Sequence, residues 1–216
     1  MIEGPLLVGE AVSAGWPIEA QFVAPGVAPV TGAGVTVHEL ARGVAERVAD
    51  TETTTGLFAV VAIPTPDPAV LERAGLVVVA DRVSDPGNLG TILRSAEAAG
   101  AGAMVVTPGT ADVYNPKVVR ASAGAVFHIP VVPAGLGEVR RSGLRVIGTS
   151  SHRGTPHTAT DWTGRVAIVA GGEAGGLEDD APVDEWVRIE HHGRAESLNV
   201  AMALTVLCFE AARHRR

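Results

Sequence analysis

The sequence predicts an α/β protein: a parallel sheet covered by helices on both faces, preceded by a smaller α/β unit. Three observations lead there. In the second half, near-continuous apolar runs alternate with helical patterns, as expected of strands buried on both faces. The stretch Ile63-Pro64-Thr65-Pro66-Asp67-Pro68 holds three prolines in five positions, which neither a helix interior nor a central strand accepts. Polar clusters also follow three of the apolar runs, where a parallel sheet places its ligands.

Residues 1–63 form a small α/β unit: a helix over 6–14, a strand over 19–23, a short strand over 35–37, and a helix from His38 to about Ala49. A polar loop over 50–56 then leads into an apolar strand over 57–63. The proline-rich stretch makes 64–75 a linker. Residues 76–216 form the larger domain, with strands predicted over 76–80, 103–106, 126–132, 144–149, 166–170 and 186–189. Its helices are predicted over 88–99, 116–121, 136–142 and 197–213, with a short turn near Leu177.

Composition bounds the function. With 216 residues, 46% of them hydrophobic, the chain has ample core. No uninterrupted apolar run reaches membrane-spanning length, and the N-terminus lacks the basic-then-apolar order of a signal peptide. Cys208 is the single cysteine, which excludes an internal disulfide, fits a reducing cytoplasm and reads as a core residue. The net charge of −7 is uneven: residues 1–75 carry three basic and nine acidic residues, residues 76–216 fourteen and fifteen. Any phosphate-gripping surface is therefore local and lies in the second part. Its candidates are Arg94, Lys117, Arg120, Arg153, Arg194, Arg213, Arg215 and Arg216, of which Lys117 is the only lysine.

The chemistry gathers in three clusters. In Asp85-Pro86-Gly87-Asn88-Leu89-Gly90, Asn88 reads as an N-cap, while Arg94 lies well around the helix from it. Gly171-Gly172-Glu173-Ala174-Gly175-Gly176-Leu177 places four glycines around a glutamate, allowing close approach of backbone to a ligand. It is neither a dinucleotide fingerprint nor a Walker loop. In Arg194-Ala195-Glu196-Ser197-Leu198-Asn199, a hydroxyl and an amide stand at the mouth of the last helix, where free backbone N–H groups can hold a ligand or Ser197 can simply cap. His191 and His192 are adjacent and so diverge, and no second ligand pair stands at useful spacing, so no metal is expected.

In order and spacing, D-P-G-N-L-G-T-I-L-R-S-A at 85–96, N-P-K-V-V-R-A-S-A-G-A at 115–125, V-A-G-G-E-A-G-G-L at 169–177 and E-S-L-N-V-A-M-A at 196–203 resemble the SpoU (TrmH) family of RNA 2′-O-ribose methyltransferases, within the SPOUT superfamily. The resemblance covers about 76–213. It implies a C-terminal trefoil knot, an S-adenosylmethionine site, a homodimer and an RNA substrate, most of all large-subunit ribosomal RNA. The cofactor-binding positions it implies are Thr149, Gly171, Ile189, His191 and Leu198, acting mostly through backbone. It carries the family's arginine onto Arg94, supplied across the dimer, with Asn88, Glu173, Ser197 and Asn199 completing the catalytic set. Lys117, Arg120 and Ser122 fall at RNA-side or structural positions, and Arg194 is a further RNA-binding candidate. Residues 1–63 resemble the small substrate-recognition domain that ribosomal-RNA members carry.

Two departures bear on this reading. Where the family usually has Ile-Pro-Met, this chain has Ile189-Glu190-His191, which implies a more flexible arm and a negative charge near the adenine. Members with such a first domain also usually open with a basic arm, and Met1-Ile2-Glu3-Gly4-Pro5 would begin after it. These departures motivate an alternative, a SPOUT dimer that binds RNA or protein without catalysis. A tRNA 2′-O-methyltransferase is another. A nicotinamide-dependent Rossmann enzyme would need the G-x-G-x-x-G spacing, which is absent.

Overall fold

A computed structural model of the chain describes residues 1–32, 34–173 and 175–215. Arg216, one of the tail arginines considered for phosphate contact, and Ala174 of the glycine-rich cluster lie outside the described residues. The chain divides into two compact units, Met1–Thr65 with Ala123–His128, and Pro66–Ser122 with Ile129–Arg216.

The first unit runs β1 (Ile2–Glu3), α1 (Pro5–Ser13), β2 (Ile18–Val23), β3 (Thr36–Glu39), α2 (Ala45–Val48) and β4 (Leu57–Val61). Its sheet has the order β1-β4-β2-β3, with β4 antiparallel to both neighbours and β3 parallel to β2 at the edge. Pro5 starts α1, where a missing N–H costs nothing, and Leu7, Val8 and Ala11 form its buried face. Gln21 is buried, and its side-chain amide both donates to and accepts from the backbone of Val30 at 2.9 Å, closing the loop after β2.

The helix expected from His38 is corrected. His38 and Glu39 end β3, where the His38 ring stacks on Phe22 at 5.2 Å and the Leu40 N–H extends the ladder to the Val23 carbonyl. Only Ala45–Val48 is helical, because Gly43, at φ +79°, turns the chain inside the expected helix. The strand expected over 126–132 is also shorter. Ala123 and Gly124 have positive φ, Ala125–Phe127 forms a 3₁₀ turn, and extended backbone begins only at Val131. Phe127 instead packs edge-on against Trp16 at 5.1 Å and accepts the indole N–H, while His128 meets Glu10 at 2.6 Å.

The second unit holds α3 (Val70–Arg73), β5 (Leu76–Asp81), α4 (Pro86–Ala98), β6 (Ala103–Val106), α5 (Pro116–Ala121), β7 (Val131–Pro133), α6 (Leu136–Arg141), β8 (Arg145–Thr149), β9 (Thr155–Pro156), β10 (Val166–Gly171), β11 (Glu185–Arg188) and α7 (Val200–Arg213). The seven strands take the order β7-β6-β5-β10-β8-β11-β9, every pair parallel. β5 and β10 are buried at every position and pair in register from Leu76 with Val166 to Asp81 with Gly171. Their continuous apolar sequence is that of strands covered on both faces. Leu71 of α3, inside the stretch read as linker, is buried in this core. Helix α4 buries Leu89, Ile92, Leu93 and Ala96. A Cβ on Gly90 would stand 2.4 Å from that of Ala121 and 2.6 Å from the Val118 carbonyl oxygen. Glycine is what lets α4 and α5 approach. Because the sheet is parallel throughout, all its carboxyl ends open on one edge, where the three polar clusters lie. Among the described residues no helix is long and apolar enough to cross a membrane.

Candidate active site

Two strand ends and one helix mouth build the site. After β5, Asp85 caps α4, its carboxylate accepting the Asn88 backbone N–H at 2.7 Å. The cap expected at Asn88 is therefore corrected to Asp85, and the Asn88 side-chain amide is left for other work. After β10 the backbone folds back tightly. A Cβ on Gly171 would stand 2.1 Å from the Gly176 carbonyl, and one on Gly172 2.3 Å from the Arg82 carbonyl oxygen. At the other helix mouth, Asn199 caps α7 by accepting from the N–H groups of Ala201 and Met202 at 2.9 and 3.3 Å. The last helix thus starts at Val200, and Ser197 precedes its cap.

These caps and turns bring three distant side chains into one chain of hydrogen bonds. The Glu173 carboxylate accepts from the Ser84 backbone and hydroxyl at 3.2 and 3.1 Å, from the Asp85 N–H at 3.3 Å and from the Asn88 amide at 2.9 Å. The Asn88 amide oxygen in turn accepts from the Asn199 side chain at 2.9 Å. Burial pulls the Glu173 carboxyl upward, but the Asn88, Ser84 and Asp85 donors outweigh it and hold the group at about 2. Glu173 is a fixed anion whose acceptor sites are taken, which makes it a poor proton acceptor and an effective anchor.

Beside this network lies a cavity of about 570 Å³. Thr149, Gly171, Ile189, His191 and Leu198 all line it, together with Glu173, Ser197 and Asn199. Val187, Ile189 and His191 line the cavity, whereas Arg188 and Glu190 do not and lie 3.6 Å apart. Glu190, whose negative charge was expected near the adenine, is outside the lining and paired with Arg188.

The remaining residues singled out in the sequence lie elsewhere. Arg94 is exposed on α4, Lys117 is exposed at the start of α5, Arg120 is half-buried, and Arg194 is exposed on the arm before α7. Ser122 is 0% exposed, and its hydroxyl donates to the Val119 carbonyl at 2.7 Å. Cys208 is buried, and burial pushes its thiol up to about 12, as befits a core residue. Among the described residues no group of three or more His, Cys, Asp or Glu could hold a metal ion. Sequence reasoning missed Ser84, which clamps Glu173, and Ser150, Ser151, His152 and Asp179, which line the cavity. Their one signal was position, just past the carboxyl ends of strands.

A profile of the SpoU rRNA Methylase family matches residues 75–209. The chain is 36% identical over 182 residues to the Bacillus subtilis (strain 168) 23S rRNA (guanosine(2553)-2′-O)-methyltransferase RlmP, covering 82% of this chain and 72% of that protein. It is 38% identical over 152 residues to the Streptomyces viridochromogenes 23S rRNA (uridine(2479)-2′-O)-methyltransferase, covering 65% of this chain and 53% of that protein. Among solved structures it is similar to the SpoU methyltransferase AviRb of Streptomyces viridochromogenes in complex with AdoMet, with a TM-score of 0.86, 31% identity, and coverage of 99% of this chain and 89% of that one. An AdoMet-bound rRNA methyltransferase from Sinorhizobium meliloti gives 0.84, 31%, 98% and 86%.

Proposed function

The chain belongs to the SpoU rRNA methylase family, and on that premise we propose that it methylates a ribose 2′-hydroxyl of ribosomal RNA with S-adenosylmethionine as cofactor. The observation that carries this reading is the Glu173–Asn88–Asn199 network beside the cavity, since residues 85 and 111 positions apart converge on one strand edge.

The cavity residues fit the cofactor. Backbone from the glycine-rich turn forms one wall, where a Cβ on Gly175 or Gly176 would meet open space, so nothing there obstructs a ligand. Ile189, Leu198 and Val200 offer apolar surface. The buried Nε2 of His191 has no partner among the described residues. Thr149, Gly171, Ile189, His191 and Leu198 would hold the cofactor, which when bound supplies a sulfonium-activated methyl group. The chain's own task is positioning and electrostatics. Asn88, with its amide orientation fixed at both ends, and Ser197 and Asn199 at the mouth of α7 orient the ribose. Arg94, permanently charged, grips phosphate and polarises the hydroxyl. Lys117, Arg120 and Arg194 extend the basic surface that RNA phosphates require.

Arg94 lies outside the cavity lining, and we assign it to the site of a second protomer. Met202, Val206 and Phe209, exposed by 64, 40 and 49%, recur at helical spacing along α7 and support a homodimer. The first unit would assist substrate recognition, the fold would carry the family's knot, and the protein would work in the cytoplasm without a metal. Incubation with labelled S-adenosylmethionine and total RNA, followed by mapping of the label, tests the reading. Label is expected at one ribose of large-subunit RNA and absent with Arg94→Ala, which still binds cofactor. Label on transfer RNA, or none with wild type, would refute it.

A further inference from the structure

We propose that Arg82 and Arg153 are positioning residues that hold the glycine-rich turn after β10 in its cofactor-binding shape, one from each side and both from outside the cavity. The proposal rests on the cofactor reading above and deepens it. Gly171, Gly172, Gly175, Gly176 and Leu177 line the cavity, yet a wall with four glycines has little conformational preference of its own. Directly after it stand Glu178 and Asp179, and each meets an arginine from a different neighbouring loop. Because β10 runs between β5 and β8 in the sheet, the turn is tied to the loops on both its flanks.

On the β5 side, Arg82 is held at φ +56°, a left-handed conformation that glycine would adopt more readily. An arginine at such a position points to a task for its side chain. The backbone there brings the Arg82 carbonyl oxygen against Gly172, where a Cβ would collide, and the guanidinium reaches Glu178 at the other end of the turn. Its Nε also donates to the buried Asp81 carboxylate at 3.0 Å, which accepts from the Thr107 hydroxyl at 2.8 Å. On the β8 side, the Arg153 guanidinium lies 3.6 Å from the centre of the Trp186 ring and 3.0 Å from the Asp179 carboxylate. The Ser150 hydroxyl oxygen accepts the Arg153 N–H at 3.3 Å, closing the loop that carries Ser151 and His152 along the cavity. Arg153, a candidate for phosphate contact by sequence, is thus engaged behind the cavity wall. An exposed ion pair alone contributes little. Here each arginine has a second anchor, Asp81 or Trp186, so less side-chain freedom is lost in pairing with the turn.

Calorimetry on the full chain with S-adenosylhomocysteine, which carries no net charge near neutral pH, tests this. Arg82→Gln and Glu178→Gln are each expected to weaken binding by about threefold, and the two together by no more than either alone, because both remove one coupling. Arg153→Gln should weaken binding by a similar factor. Salt screens exposed pairs, so wild-type affinity should fall as salt is raised, while that of the variant carrying both Arg82→Gln and Arg153→Gln stays level. In a methyl-transfer assay, Glu178→Gln should raise the KM for S-adenosylmethionine by the same factor and lower kcat by less. Undiminished ligand binding by Glu178→Gln, a fall in kcat at unchanged KM, or a loss by the arginine variants confined to RNA binding would overturn the proposal. Should Arg82→Gln fail to fold for want of its Asp81 pair, Glu178→Gln leaves that pair intact and decides alone. Wild type that binds no S-adenosylhomocysteine would instead overturn the cofactor reading.

Discussion

At the residue scale, Glu173 separates anchoring from proton transfer. Its carboxyl sits at about 2 in the folded chain, against 4.5 ordinarily. A depressed folded value means stability that is present above the unfolded value and lost as pH falls from 4.5 toward 2. Glu173→Gln should therefore flatten that part of a melting-temperature profile, and the exposed setting keeps the effect small. The same variant should slow methyl transfer by about tenfold or more, because it releases Asn88 from its orientation. An unchanged rate would show that the network does not serve the reaction. The Glu173 cluster was visible in sequence as glycines around one charge. Its clamp by Ser84 was not, because a lone serine in a turn carries no periodic or motif signal.

At the scale of elements, what sequence revealed followed burial. The strands β5, β6, β8 and β10 were legible because both their faces are covered and their apolar runs are continuous. The exposed β3 was legible only in its first half, since Thr36, Val37, His38 and Glu39 all face solvent and His38 and Glu39 mimic a helix start. Helix α7 was legible in its length but not its first residue: Ser197 and Asn199 are both good caps, and only the fold selects Asn199. Gly90 marks where one element depends on another. Gly90→Val would force α4 away from Ala121 and Val118, and a loss of about 1–3 kcal/mol is expected from denaturant unfolding. Stability within about 0.5 kcal/mol of wild type would mean that the helices yield freely.

At the scale of the whole molecule, the face of α7 bearing Met202, Val206 and Phe209 gives the proposed homodimer its test. Phe209→Glu should convert a dimer to a monomer by light scattering and abolish methyl transfer, since Arg94 would lose its site. A dimer that persists would place the contact elsewhere. The sheet order also governs how such a molecule is made. Its centre pairs residues 76–81 with 166–171, so β5 emerges from the ribosome with one edge lacking its partner through the synthesis of some ninety residues (about 5–20 s at bacterial rates). Such non-local pairing slows folding, and the nascent chain must meanwhile shield from other chains the bare edge of a strand apolar in all but Asp81. Because Asn199 is made later still, the Glu173–Asn88–Asn199 network closes only after the sheet's central pair can form.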